Sequence, residues 1–141
     1  MLKNISKMKL VKIINLPLHT QTNGDLVFIE GMTDNAPFSI KRVFNVRAKK
    51  ESIRGKHSHI NCSQLLICTN GSVEVFCDNN SETATYVLDK PNQGLLIFPG
   101  VWSEQKYLEE DTVLTVLCDQ KYEEEDYIRD YEKFSKYIIS K

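Results

Sequence analysis

Short apolar runs separated by turn residues occupy most of the chain, and their lengths suit strands rather than helices. "LVKIINL" (10–16) stops at Pro17, and "LVFIEGM" (26–32) lies between Asn23-Gly24 and Asp34-Asn35. "FSIKRVFNVRA" (38–48) alternates, which sets Phe38, Ile40, Arg42, Phe44 and Val46 on one face of a strand. "QLLICT" (64–69) ends at Asn70-Gly71, a hairpin signal, and "SVEVFC" (72–77) resumes beyond it. After the turn "DNNSE" (78–82) come "TATYVLD" (83–89), "GLLIFP" (94–99) and "TVLTVLCD" (112–119). Eight or nine strands at intervals of about ten residues predict an all-β antiparallel sandwich or barrel.

The final segment changes period. Tyr127, Tyr131, Phe134 and Ile138 fall at i, i+4, i+7 and i+11, the stripe of an amphipathic helix. Its acidic start, "EEED" at 123–126, suits the positive end of a helix dipole, and Lys136 and Lys141 lie toward the other end. One domain over residues 1–141 is expected, with strands over about 10–119 and a C-terminal helix over about 123–139.

Composition narrows the partners. A net charge of -1 without a long basic run argues against nucleic acid or an anionic membrane. No apolar stretch approaches the roughly 20 residues that span a bilayer. The N-terminal "MLKNISKMKLVKIINLPL" is basic, but Lys9 and Lys12 break its apolar run and no small-residue cleavage site follows. A cytoplasmic protein is expected. Cys62, Cys68, Cys77 and Cys118 form no C-x-x-C pair and sit in strand-like segments, which predicts buried free thiols rather than a zinc cluster.

The candidate chemistry lies in "RGKHSHINCSQ" (54–64). On a strand, His57 and His59 share a face; inside a barrel they converge on one cavity, while in a loop they are merely solvated. The spacing H-x-H, four residues, Gln64, six residues to Gly71, and later P-G-x-x-S ending at Ser103, resembles the two signature motifs of the cupin superfamily. Metal-binding cupins carry a glutamate where this chain has Gln64 and a third histidine where it has Ser103. A neutral amide and a hydroxyl are poor donors for a divalent ion. The expectation is a cupin jelly roll with no metal and no cofactor, in which imidazoles that titrate near neutrality move protons.

A narrower resemblance rests on "PFSIKRVFNV", "RGKHSH", "GLLIFPGVWSEQKY" and "YEEEDYIRDYEKF", which cover most of the chain from about residue 25 to residue 134. These strings resemble the 3,4-ketoisomerases of nucleotide-linked 4-keto-6-deoxyhexoses. The resemblance implies a dTDP-linked 4-keto-6-deoxyglucose as substrate and a homodimer that exchanges N-terminal strands. It also implies a 3-keto product destined for amination and surface polysaccharide. His57 and His59 would carry the proton between C3 and C4, with neither assigned as the C3 base. Arg54 would stabilise the charge on O4 or hold the diphosphate, and Arg42 would take the diphosphate as well. Gln64 would hydrogen-bond the sugar or orient a histidine, and Trp102 would wall the cavity. Three departures stand out: Phe44 and Asn45 where tyrosines are usual, Ser58 between the histidines, and Ser103 where a histidine is usual. Asn45 and Ser103 therefore join the expected substrate contacts. A galacto-configured product is the expected outcome. A nucleotide-sugar 3,5-epimerase and a non-catalytic nucleotide-sugar binding module are the alternatives.

Overall fold

A computed structural model describes residues 8–141; residues 1–7, the start of the basic N-terminal segment, lie outside the described residues. Two five-stranded antiparallel sheets face each other. The strands are β1 (Val11–Asn15), β2 (Leu18–Gln21), β3 (Gly24–Val27), β4 (Arg42–Ala48), β5 (Ile53–His59) and β6 (Gln64–Asn70). They continue with β7 (Val73–Asp78), β8 (Thr83–Leu88), β9 (Gln93–Ile97), β10 (Trp102–Tyr107), β11 (Thr112–Cys118) and β12 (Tyr127–Ile128). One helix, α1 (Tyr131–Ile139), ends the chain. The first sheet has the order β1-β9-β6-β11-β4, the second β12-β5-β10-β7-β8, and β2-β3 forms a separate hairpin. This is the expected jelly roll.

The main core lies between the sheets, where Leu66, Val73, Val75, Leu88, Leu95 and Leu114 pack together. A second cluster covers the outer face of the first sheet, with Leu65, Ile67, Leu96 and Leu117 under Ala36 and Phe38. β6 is therefore apolar on both faces, which explains its unbroken "LLIC". All four cysteines are buried and free, as expected.

Several expected elements shift. Asn70-Gly71 does not close a hairpin: β6 pairs with β9 and β11, whereas β7 pairs with β8 and β10. The turn instead carries the chain from one sheet to the other. Gly71 has φ 81° and packs so closely on Thr112 that a Cβ would collide with it. The run 26–32 is strand only as far as Val27; beyond it, Val27, Ile29 and Ile40 pack onto the second cluster instead of joining a ladder.

The helix starts at Tyr131, eight residues later than the pattern predicts. Asp130 caps it by accepting from the Lys133 N–H at 3.0 Å. The acidic residues before it form a 3₁₀ turn, Glu124–Asp126, and Tyr127 and Ile128 pair with His59 and Ser58 of β5. Only the stripe from Tyr131 onward is helical, with Phe134 fully buried. No helix among the described residues is long and apolar enough to cross a membrane.

Candidate active site

Both sheets and the segment before α1 contribute to one cavity of about 220 Å³. Phe44 comes from β4, Arg54 and His57 from β5, and Gln64 from β6. β10, which pairs with β5 in the same sheet, adds Gln105 and Tyr107, and the C-terminal segment adds Tyr127 and Arg129.

The geometry of β5 follows from its sequence. Gln105 pairs with Arg54, Glu104 with Gly55, and Ser103 with His57, so Lys56 is an extra residue opposite the 103–104 step. Such a bulge turns residues three apart to the same side. Arg54 and His57 both reach the cavity for this reason. The bulge uses left-handed backbone, φ 89° at Gly55 and 58° at Lys56, and a Cβ on Gly55 would collide with the Gln105 side chain. "RGKH" thus reads as two cavity-lining side chains around a glycine-dependent kink.

His57 Nδ1 is buried in the wall near the Gly55 backbone and makes no well-formed hydrogen bond among the described residues, which leaves Nε2 as the nitrogen for the cavity. Burial, reinforced by the neighbouring His59, pushes its pKa down to about 4. At neutral pH the ring is uncharged and ready to accept a proton. His59 is on the same face but deeper, only 6% exposed, and does not line the cavity. Its Nδ1 lies 2.7 Å from Asp126 Oδ2, and the other oxygen of Asp126 accepts the Asn61 N–H at 2.5 Å. The carboxylate fixes the His59 tautomer with the proton on Nδ1. Burial nonetheless outweighs Asp126 and lowers the His59 pKa. The two rings stand 5.0 Å apart, nearly perpendicular. Convergence of both imidazoles on one cavity, expected from the spacing, is corrected here: one meets it and the other stands behind.

Tyr127 fills the corner between them, its ring centroid 5.0 Å from His57 and 4.5 Å from His59. Its hydroxyl oxygen accepts from Arg42 Nη2 at 3.4 Å. The Arg129 guanidinium lies 4.2 Å over the same ring and pairs with Glu124 at 2.8 and 3.0 Å.

The remaining expected contacts divide. Gln64 lines the cavity and is anchored by donating to Cys118 Sγ at 3.5 Å. Ser103 is buried and accepts from Gln105 Nε2 at 3.0 Å, so it supports a lining residue. Arg42 points inward as expected but stops short of the cavity, held by Tyr127, by Cys118 at 3.6 Å and by the rings of Phe44 and Tyr122. Asn45 is placed elsewhere: it faces outward from β4 and accepts from Thr115 Oγ1 at 2.6 Å. Trp102 is also placed elsewhere, because alternation on β10 sends it outward when Ser103 turns in. It donates to Glu104 at 2.9 Å and packs on Tyr131 and Phe134 of α1.

Sequence reasoning missed Asp126, Tyr127, Arg129, Gln105 and Tyr107. The signal for the first three was "YEEEDYIRDYEKF", a string too specific for plain packing, which the helical period absorbed.

A metal was tested against the donors present. His59, Cys62 and Asp126 offer ligand atoms within 4.8 Å of one another. Asp126 is already engaged twice, however, and hydrogen bonding to Cys118 together with burial raises the Cys62 thiol pKa. A protonated thiol is a poor ligand, so this donor set does not fit a divalent ion.

A two-sheet jelly roll with an imidazole-lined cavity and a single C-terminal helix defines a cupin-like protein. Residues 9–139 match the family model described as "FdtA: WxcM-like, C-terminal", and the chain belongs to that family. It is 42% identical over 128 residues, 90% of this chain and 91% of the relative, to a TDP-4-oxo-6-deoxy-alpha-D-glucose-3,4-oxoisomerase of Aneurinibacillus thermoaerophilus. Among solved structures, it resembles the sugar 3,4-ketoisomerase QdtA of Thermoanaerobacterium thermosaccharolyticum in complex with TDP. That likeness has a TM-score of 0.90 at 37% identity and covers 94% of this chain and 97% of the other. A 3,4-ketoisomerase of Helicobacter canadensis gives a TM-score of 0.87 at 32% identity, over 92% of this chain and 97% of the other. The chain is an isomerase.

Proposed function

We propose that the protein is a 3,4-ketoisomerase of dTDP-4-keto-6-deoxy-D-glucose. The observation that carries this reading is a neutral imidazole, His57, facing a cavity whose family relatives act on that class of sugar. The C3 hydrogen is acidic because it neighbours the C4 ketone. His57 takes it, leaving a C3=C4 enediol, and the same imidazolium returns it to C4. Gln64 binds the ring hydroxyls, and Arg54 at the cavity wall binds the diphosphate, for which the forked guanidinium is suited, while Arg129 stays paired with Glu124. His59 keeps His57 in place and carries no proton to the sugar itself.

A single base on one side of the ring fixes the stereochemistry. In the gluco substrate the C3 hydrogen lies on the face opposite the one H4 occupies in glucose. Return of a proton to C4 on the C3-hydrogen face therefore gives the galacto product. The 3-keto group so formed is a site for later amination toward surface polysaccharide. The molecule works in the cytoplasm, as its free buried thiols suit, and as a homodimer with exchanged N-terminal strands. Exposed Leu18, Leu26, Met32 and Val43 give that dimer an apolar surface to cover.

Incubation with the substrate in deuterated buffer tests the reading. Proton spectra are expected to show a 3-keto sugar of galacto configuration, with deuterium at C4 in the fraction of turnovers in which the imidazolium exchanges its proton with solvent before returning it. Exchange at C5 instead would identify an epimerase, and neither a 3-keto sugar nor any exchange a binding module.

A further inference from the structure

We infer that Tyr127 is a catalytic residue that carries a proton from O3 to O4 of the sugar, an inference that rests on the isomerase reading above. His57 accounts for the hydrogen that moves between carbons. The isomerisation also moves a hydrogen between oxygens, and an imidazole occupied with the carbon proton cannot supply it at the same moment. The cavity therefore needs a second acid beside His57. Phe44, on the facing wall, has no hydroxyl.

Tyr127 meets the need on three grounds. It lines the cavity and sits against both imidazole rings, at 5.0 and 4.5 Å. Arg42 holds its oxygen at 3.4 Å, and a guanidinium can only donate, so the phenol keeps its own hydrogen to give. No hydrogen bond donated by that hydroxyl is formed among the described residues. The same Arg42 contact stabilises the oxygen once the hydrogen has left. Tyr107, the other phenol on the wall, is 1% exposed, and burial pushes its pKa up to about 12, which makes it a reluctant acid.

The steps balance. As His57 takes the C3 hydrogen, the C–H pair becomes the C3=C4 bond, the carbonyl π pair moves to O4, and O4 takes the Tyr127 hydrogen. In the second half the O3 hydrogen passes to the Tyr127 phenolate and its bonding pair forms C3=O. The C3=C4 pair then takes the proton from the His57 imidazolium at C4. Both residues end as they began, with no oxidant or reductant.

Tyr127→Phe keeps the ring against both histidines and removes only the hydroxyl. With dTDP-4-keto-6-deoxyglucose, kcat is expected to fall about 10²-fold or more while KM stays within a few-fold and TDP binding persists. Adding Phe44→Tyr to that variant is expected to regain at least tenfold, because it returns a phenol to the same cavity. An active wild type with Tyr127→Phe equally active overturns the inference and leaves the isomerase reading standing. Loss of TDP binding along with turnover overturns it too, because Tyr127 would then be structural. A wild type that produces no 3-keto sugar overturns the isomerase reading, and this inference with it.

Discussion

Gly55 decides which way Arg54 and His57 face. Its φ of 89° strains any residue with a side chain, a Cβ there would also displace the Gln105 amide, and the Lys56 bulge beside it depends on that backbone. Gly55→Ala is expected to cost about 1–3 kcal/mol of stability and to reduce turnover by more than tenfold, since the two side chains lose their common face. Urea melts and steady-state rates on one preparation check both. The sequence made some residues legible and others not, for a plain reason. Alternation on β4 set Arg42 and Phe44 inward and so already set Asn45 outward; the motif's position, not its period, suggested Asn45 as a contact. Alternation on β10 likewise separates Ser103 from Trp102. Asp126 gave no such sign, because its value comes from His59, 67 positions earlier in the chain.

Among the elements, the least conspicuous one completes the site. β12 is two residues long, yet it brings Tyr127 to the histidines by pairing with the end of β5. The contacts of α1 with Trp102 hold it there, with Phe134 fully buried and 6.0 Å from the indole. Phe134→Ala is expected to destabilise the protein by about 3–5 kcal/mol. Hydrogen exchange should show faster exchange in 127–139 than in β6 and β11, and turnover should drop together with helix content. Equal protection across the chain would count against this coupling. Strands with apolar runs, such as β6, β9 and β11, were legible in the sequence. β5 and β10 were not, since their inward positions hold Arg54, His57, Ser103 and Gln105 in place of Val or Leu. A polar cavity erases the contrast by which a strand is recognised. The helix was legible in type but not in start, because Tyr127 happens to fall in phase with it.

For the whole molecule, the buried histidines set a dependence on acidity. The pKa of His57 drops from the ordinary 6.5 to about 4 on folding, so between those values the unfolded chain binds the extra proton and the folded one does not. Its contribution to stability is full above pH 6.5 and is lost as pH falls toward 4, with His59 adding in the same direction. Urea midpoints at pH 7.5 and pH 5 are expected to differ less for His57→Asn than for the wild type. An unchanged difference would mean that other groups carry the effect. Fold class and family were legible at this scale, because repeated short strands and long specific strings survive without any knowledge of side-chain contacts. The placement of β12 has a further consequence for the order in which the ribosome delivers the parts. Eleven of the twelve strands among the described residues have been made before Asp126 and Tyr127 leave the exit tunnel. A newborn chain can therefore close its walls around a hollow that has Arg54 and His57 but still lacks Tyr127 and Arg129.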